Sequence, residues 1–415
     1  METFKGIVNL HVNLRQNWPS VNAKVSKVLK PNTEVEISHA IVGEPYLDSD
    51  IWYVLTNHCF VWSKAVYASS EIPLLDKKII VTADDIGIVD QIDVGAQIAL
   101  KEGWINSLAV LVNRPNDPND EYLKRFGETL KNHSRNGCSK SLFETTHIGL
   151  HFTITSGQPV SNYTAVRLLV DNDGKFLDFR KFNKNFEKAD YVNQIKGEFL
   201  AQYEKFIRVF GKEPDHLTSH HDVLTFNNPL FSFMHTWSRE RGIPLRNHRF
   251  LPSSKRFWYD TLALTNVNLP SINTMNSWET SYGATDFESP EHTVVEHYGP
   301  IPPFGVTCYE SAKRKKQGKL IKWISDFLVS TDTSREIVIH LIKSDLRNQR
   351  DYVKFYDPLR SSYPGIEIKY FDGRAAEYLS LNEKRPWTTH PALDLSPAYF
   401  RPFMKSDESQ SFSAE

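Results

Sequence analysis

The chain lacks the features that typify secreted, membrane-spanning and nucleic-acid-binding proteins. Its three cysteines, Cys59, Cys138 and Cys308, are too few and too irregularly spaced for a disulfide framework or a cysteine zinc site. It has no run of about 18 apolar residues, so no transmembrane helix is predicted. Its 49 basic and 50 acidic residues balance, and a balanced charge favours neither a nucleic acid nor an anionic membrane as partner.

The first residues show no basic region followed by a long apolar stretch, so a signal peptide is not expected. Together with the sparse cysteines, this predicts a cytoplasmic protein.

The 415 residues are enough for two or three domains, and the pattern changes along the chain. Over residues 1–70, short strand-like runs alternate with turn residues, which predicts a small all-β barrel. The predicted strands are Ile7–Leu14, Lys24–Leu29, Glu34–Ile37, Ile51–Leu55 and Cys59–Trp62. We expect a linker at 71–77 and an α/β domain over 78–385, followed by an extension, 386–415, that is partly disordered.

Within the α/β region, one helix is clear. Apolar residues recur every three or four positions from Tyr191 to Phe210, and Gly211 provides a stop. Strands are predicted at Leu108–Val112, His147–Phe152 and Ile337–Ile342.

The most informative segment is Val81–Gly87, in which Asp84 and Asp85 end an apolar strand. Adjacent carboxylates repel each other, so one is normally compensated by a cation or a shared proton. Their place at the carboxyl end of a strand, where α/β folds keep their chemistry, indicates a functional site. The alternative is a strand-end turn with both acids solvated.

Three further strand-like segments deliver histidines, namely His151, His220 and His340. A lone histidine is more often structural than functional, and 15 histidines make chance groupings easy. One aspartate and two histidines at separate strand ends are nevertheless a suitable ligand set for a divalent cation that activates water.

From Lys77 to about Leu381 the chain resembles the YdjC/ChbG/HpnK family of carbohydrate deacetylases. The resemblance lies in short motifs that keep their order and spacing. These are Val81–Gly87, Gly103–Ser107, Leu111–Asn113, Ile148–Phe152, Thr155–Val160, Gly211–His221, Gly242–Arg246 and Ile339–His340. The resemblance implies a distorted (β/α) TIM-like barrel that removes an acetyl group from an N-acetylated sugar or short oligosaccharide.

The resemblance also implies roles for particular residues. Asp85, His151 and His220 would hold a divalent metal ion, Mg or Zn. Asp84 would be the general base and His340 the general acid, and Arg246 would pair with a catalytic carboxylate.

The chain departs from the family pattern near these residues. Thr218 replaces an aspartate, Asp222 a histidine, and Leu341 the proline that follows the late histidine. These changes leave open a catalytically weak member that acts as a binding or regulatory scaffold, or an enzyme for a different amide.

The N-terminal stretch resembles a bacterial SH3-like (SH3b) module. The matching segments are Asn13–Arg15, Lys24–Val35, Trp52–Val54 and Phe60–Trp62. The usual glycine of the first loop is replaced near Gln16 and Asn17, and the usual glycine before the threonine is Asn32. This resemblance implies a peptide or glycan ligand for the module. The resemblance of residues 78–385 to the deacetylase family implies a homodimer.

Overall fold

The computed structural model describes residues 2–87, 90–114, 117, 119–177, 188–220, 228–246, 294–297, 317–318, 321–322, 324–331, 334–343, 374–375 and 377–382. The predicted extension 386–415 lies outside these residues, as do Cys308 and His221.

The N-terminal region is an all-β unit of eight strands. These are β1 (Phe4–Val8), β2 (Val12–Arg15), β3 (Val25–Leu29), β4 (Glu34–Tyr46), β5 (Ser49–Leu55), β6 (Phe60–Trp62), β7 (Val66–Ala68) and β8 (Leu74–Leu75). The strand order is β3-β2-β6-β5-β4-β1-β7 with antiparallel neighbours, and β8 pairs with β4 in parallel.

The prediction of a single strand over Ile7–Leu14 is wrong. The chain leaves the ladder after Val8, because the amide of Asn32 donates to the Val8 carbonyl and the amide of Asn9 donates to that of Ala65. The strand predicted at Glu34–Ile37 continues to Tyr46. Residues 34–37 pair with β1, and the pairing with β5 contains two register shifts.

The rest of the described chain is a mixed α/β unit around a curled sheet of six parallel strands in the order β12-β11-β10-β9-β14-β13. The strands are β9 (Lys78–Ile86), β10 (Ser107–Val110), β11 (His147–Phe152), β12 (Leu217–Ser219), β13 (Val294–His297) and β14 (Ser334–Ile339). Because all six are parallel, their carboxyl ends meet at one edge of the sheet.

Helices α1 (Asp90–Lys101), α2 (Glu121–Asn132), α3 (Leu142–Thr145), α4 (Ala189–Phe210) and α5 (Asn228–Arg241) connect these strands. Residues 317–318, 321–322, 324–329, 374–375 and 377–382 are also helical. The predicted helix is confirmed as α4, and Gly211 ends it in the left-handed conformation, with φ of 72°. None of the helices in the described part of the chain has the length and apolar character that a membrane crossing requires.

The two units share one apolar core. Trp52, Phe60 and Trp62 of the N-terminal unit belong to the same buried cluster as Ile79 and Val81 of β9. The segment predicted as a linker, 71–77, takes part in this packing. It contains β8, and the buried Lys77 ammonium donates to the carbonyls of Phe327 and Ser330 at 3.2 and 2.6 Å, near the end of a helical stretch, where a cation is favourable.

One close approach inside the sheet gives a stability prediction. The ideal position of a Cβ on Gly149 of β11 lies 2.4 Å from the ring of the buried His216. Gly149→Ala must displace that ring, and we expect a destabilisation of about 1–3 kcal/mol, measured by chemical denaturation.

Gly197→Ala is the matched control, because nothing lies within 4 Å of its added Cβ in α4. Alanine there should stabilise the protein by roughly 0.5–1 kcal/mol. Equal effects of the two substitutions would contradict the proposed packing of His216.

Candidate functional site

The carboxyl edge of the parallel sheet brings the predicted site residues together. Asp84 and Asp85 come from β9, His151 from β11, and His220 follows β12. His340 follows β14, and Arg246 follows the isolated bridge between Leu217 and Leu245. The residues brought together at this edge are Asp84, Asp85, His151, His220, Arg246 and His340.

A bulge directs the aspartate pair. Between Leu108 and Val110 of β10, β9 advances from Ala83 to Ile86, one residue more than its partner. Asp85 has φ of 66°, in the left-handed region that aspartate tolerates better than most residues. Adjacent side chains on a regular strand would face opposite sides, whereas here both carboxylates approach one imidazole nitrogen, His151 Nε2, at 3.8 and 3.3 Å.

Asp84 is held by a buried arginine. Arg246 donates from both terminal nitrogens to the two Asp84 oxygens, each at 2.7 Å, and also donates to Glu336 Oε1 from Nε at 3.0 Å. Burial alone would raise the pKa of Asp84, but the Arg246 guanidinium outweighs it and holds that pKa well below its usual range. Asp84 is therefore ionised at neutral pH, and the same pairing lowers its basicity.

Asp85, His151 and His220 form a compact donor set. Asp85 Oδ1 lies 2.8 Å from His220 Nδ1 and 3.3 Å from His151 Nε2, and the two nitrogens are 3.3 Å apart. All three residues are buried. Burial lowers the pKa of His220 although Asp85 opposes this, so the ring is neutral and able to offer a lone pair.

This donor set fits a divalent cation. Nitrogen and carboxylate donors bind zinc at about 2.0–2.2 Å, so donors around one ion lie roughly 3–3.5 Å apart. Two of the three separations fall in this range and the third is slightly shorter. Among the described residues, these three are the group whose atoms are near enough to share a metal ion.

Hydroxyl groups orient both histidines. His151 Nδ1 lies 2.6 Å from Thr218 Oγ1, which donates to the Leu150 carbonyl at 3.4 Å. With the ring proton on Nδ1, Thr218 Oγ1 accepts from it and Nε2 is left as a lone-pair donor. Ser156 Oγ lies 3.1 Å from His220 Nε2. With the ring proton on Nε2, this hydroxyl accepts from it and Nδ1 is left as the lone-pair donor. The neutral hydroxyl of Thr218 therefore orients His151, a role that a carboxylate often has beside a metal-binding histidine.

His340 lies at the more open side of the group. Its Nε2 is 3.9 Å from Asp85 Oδ2, and its side chain is 12% exposed, more than those of the other residues of the set. This position leaves it accessible to a ligand that approaches the donor set.

Three charged residues at this site, namely Glu336, Arg374 and Glu377, were not predicted from the sequence. Glu336 had a sequence signal, since it is the lone acid of β14 and directly precedes the apolar run 337–339. It is buried and accepts hydrogen bonds from Arg246 and from the Thr82 hydroxyl. Arg374 NH1 lies 2.6 Å from Asp85 Oδ2, and Glu377 accepts from the His340 amide at 2.6 Å. No motif pointed to these two.

A further buried carboxylate, that of Asp93, supports the turn after the aspartate pair. Asp93 of α1 accepts from the Gly87 amide at 2.7 Å and from the Tyr122 hydroxyl at 2.6 Å. Burial raises the pKa of Asp93 to about 6 despite these donors.

The fold and the site define an α/β protein with a buried Asp-His-His centre at the carboxyl edge of a parallel sheet. The chain belongs to the family of YdjC-like proteins, whose model matches residues 78–340. This confirms the family predicted from the motifs.

Two curated relatives carry activity names. A carbohydrate deacetylase of Clostridium beijerinckii is 29% identical over 195 residues, which are 47% of this chain and 69% of that protein. A chitooligosaccharide deacetylase of Salmonella paratyphi B is 31% identical over 175 residues, 42% of this chain, and the match spans only 61% of that protein's length.

One solved structure overlaps the fold in part. It is an Enterococcus faecalis protein described as a candidate for cellobiose-phosphate cleavage, with 22% identity and a TM-score of 0.44 over 74% of this chain and 99% of that chain.

Removal of the Thr218 hydroxyl tests its orienting role. Thr218→Val keeps the shape of the side chain but leaves His151 Nδ1 without its acceptor, so zinc affinity measured by calorimetry should fall by roughly 10- to 100-fold. Thr218→Asp, which restores a carboxylate, should bind zinc at least as tightly as the wild type. Thr129→Val is the control, because the hydroxyl of this half-buried residue of α2 donates only to the Arg125 carbonyl of its own helix. An unchanged affinity in Thr218→Val would refute the role.

The raised pKa of Asp93 predicts a pH dependence of stability. The folded protein binds this proton more tightly than the unfolded chain, so the contribution of Asp93 is full below about pH 4 and is lost as the pH rises through about 6. This change in pKa corresponds to a contribution of at most about 3 kcal/mol to the free energy of unfolding.

Relative to Asp93→Asn, the wild type should therefore lose unfolding free energy between pH 4.5 and 7.5. The exposed Asp190→Asn is the control. A constant difference between wild type and Asp93→Asn across this interval would contradict the shifted pKa.

Proposed function

We propose that the protein is a metal-dependent hydrolase that removes the acetyl group from an N-acetylated sugar or short chitooligosaccharide-like chain. The observation that carries the proposal is the position of Asp84 and His340 around the donor set. Asp84 Oδ2 is 3.8 Å from His151 Nε2, and His340 Nε2 is 3.9 Å from Asp85 Oδ2. The names of the two deacetylase relatives support the substrate class.

Asp85 Oδ1, His151 Nε2 and His220 Nδ1 would hold the cation. When bound, it would supply Lewis acidity, which lowers the pKa of water and polarises an amide carbonyl. Of Mg and Zn, two imidazole donors favour Zn.

Two residues of the chain, Asp84 and His340, carry out the proton transfers. Asp84, ionised and fixed by Arg246, accepts the proton of the attacking water. The water oxygen bonds to the acetyl carbon, and the bond between that carbon and the sugar nitrogen breaks. His340 in its protonated form donates to the departing nitrogen, so the products are acetate and the free amino sugar.

Acetate release from N-acetylglucosamine oligomers tests this proposal. The zinc-loaded wild type should release acetate, and a chelator should stop it. Asp84→Asn should lower kcat by roughly 10²- to 10⁴-fold, because the proton acceptor is lost. The exposed Asp173→Asn is the matched control and should keep wild-type activity.

Other outcomes separate the alternatives. Zinc binding without acetate release from any oligomer would refute the sugar substrate and point to another amide. Absence of both would favour a scaffold that acts through its N-terminal module.

Finer features of the fold are part of the proposal. The order of the antiparallel strands supports an SH3-like module over 1–70, and the six parallel strands support a distorted TIM-like barrel over 78–385. The linker at 71–77, the extension 386–415, the homodimer, the peptide or glycan ligand of the module and the cytoplasmic location stay predictions.

A further inference from the structure

A short helical stretch beyond the family match reaches the site. Residues 374–375 and 377–382 are helical, whereas the family model ends at residue 340. Leu381 belongs to the central apolar core, and the ring of Tyr378 packs against Trp104 with centroids 5.5 Å apart. The stretch is therefore anchored to the α/β unit rather than loosely attached.

Two charged residues three positions apart in this stretch face the site. Arg374 NH1 lies 2.6 Å from Asp85 Oδ2, and the Glu377 carboxylate accepts from the His340 amide at 2.6 Å. Residues at this spacing share one face of a helix. That face thus contacts both a candidate metal ligand and the candidate general acid.

The arginine determines which oxygen of Asp85 is available. Oδ2 pairs with Arg374, and Oδ1 faces His151 and His220. Both side chains of the ion pair are almost fully buried, with 4% and 1% exposure. The attraction between the two buried charges at this distance holds Oδ2 on the side of the arginine.

Arg374 also balances charge at the site. Four buried or nearly buried carboxylates meet here, from Asp84, Asp85, Glu336 and Glu377, and two guanidinium groups, from Arg246 and Arg374, oppose them. Among the described residues, these four carboxylates and two guanidinium groups sum to a formal charge of −2, which is the charge that a divalent cation neutralises. Without Arg374, Asp85 would have to bury its charge with one compensating partner fewer.

We propose that Arg374 is a positioning residue for the cation site, which holds Asp85 so that Oδ1 alone points to the two histidines. The inference rests on the proposed cation site. It assigns part of the site to a segment outside residues 78–340.

Zinc titration of the metal-free protein by calorimetry tests this role. Arg374→Gln should weaken zinc binding by roughly 10- to 100-fold, the usual effect of losing a partner that orients a ligand. Arg208→Gln on α4 is the matched control, since that arginine is 59% exposed and should leave the affinity unchanged. Circular dichroism of each variant checks that the fold is intact.

Arg374→Lys provides the same comparison if Arg374→Gln does not fold. Lysine keeps the charge but lacks the planar head, so it should still weaken zinc binding, by a smaller factor.

The outcomes are separable. Zinc binding by the wild type with an unchanged or tighter constant in folded Arg374 variants would overturn the role of Arg374 alone. Absence of zinc binding by the wild type would overturn the cation site and this inference with it. Weaker binding in the Arg374 variants, with Arg208→Gln like the wild type, supports the inference.

Discussion

The paired burial of carboxylates and arginines at the carboxyl edge of the parallel sheet is the constraint on which the site depends. Asp84 and Asp85 are adjacent and almost inaccessible to solvent, and such charges persist only when partners compensate them. Arg246 compensates Asp84 with two hydrogen bonds, and Arg374 compensates Asp85 through the ion pair with its Oδ2. The two acids therefore have different tasks. Both oxygens of Asp84 accept from Arg246, whereas Asp85 keeps Oδ1 next to the ring nitrogens of His151 and His220.

The backbone makes this division possible. The bulge in β9 and the left-handed Asp85 turn two successive side chains toward the same imidazole. Strain of this kind costs about 1–3 kcal/mol and persists where surrounding contacts enforce it. Here Gly87 continues the turn, and Asp93 and Tyr122 support it through hydrogen bonds. The site therefore depends on α1 and α2 as well as on the strands that carry its residues.

Much of this arrangement could be predicted from the sequence, for physical reasons. The helix Ala189–Phe210 and the strand His147–Phe152 follow from apolar periodicity, and the histidines at strand ends follow from the parallel order of the sheet. The bulge could not be predicted, because a register shift of one residue depends on the neighbouring strand. Arg374 and Glu377 could not be predicted either, since no local pattern links a distant helix to Asp85 and His340.

The central claim is that Asp85, His151 and His220 bind one divalent cation. Anomalous diffraction at the zinc absorption edge, from crystals grown with zinc, tests it most directly. One strong peak is expected within bonding distance of Asp85 Oδ1, His151 Nε2 and His220 Nδ1. A well-ordered site without a peak, or a peak only at other residues, would contradict the account.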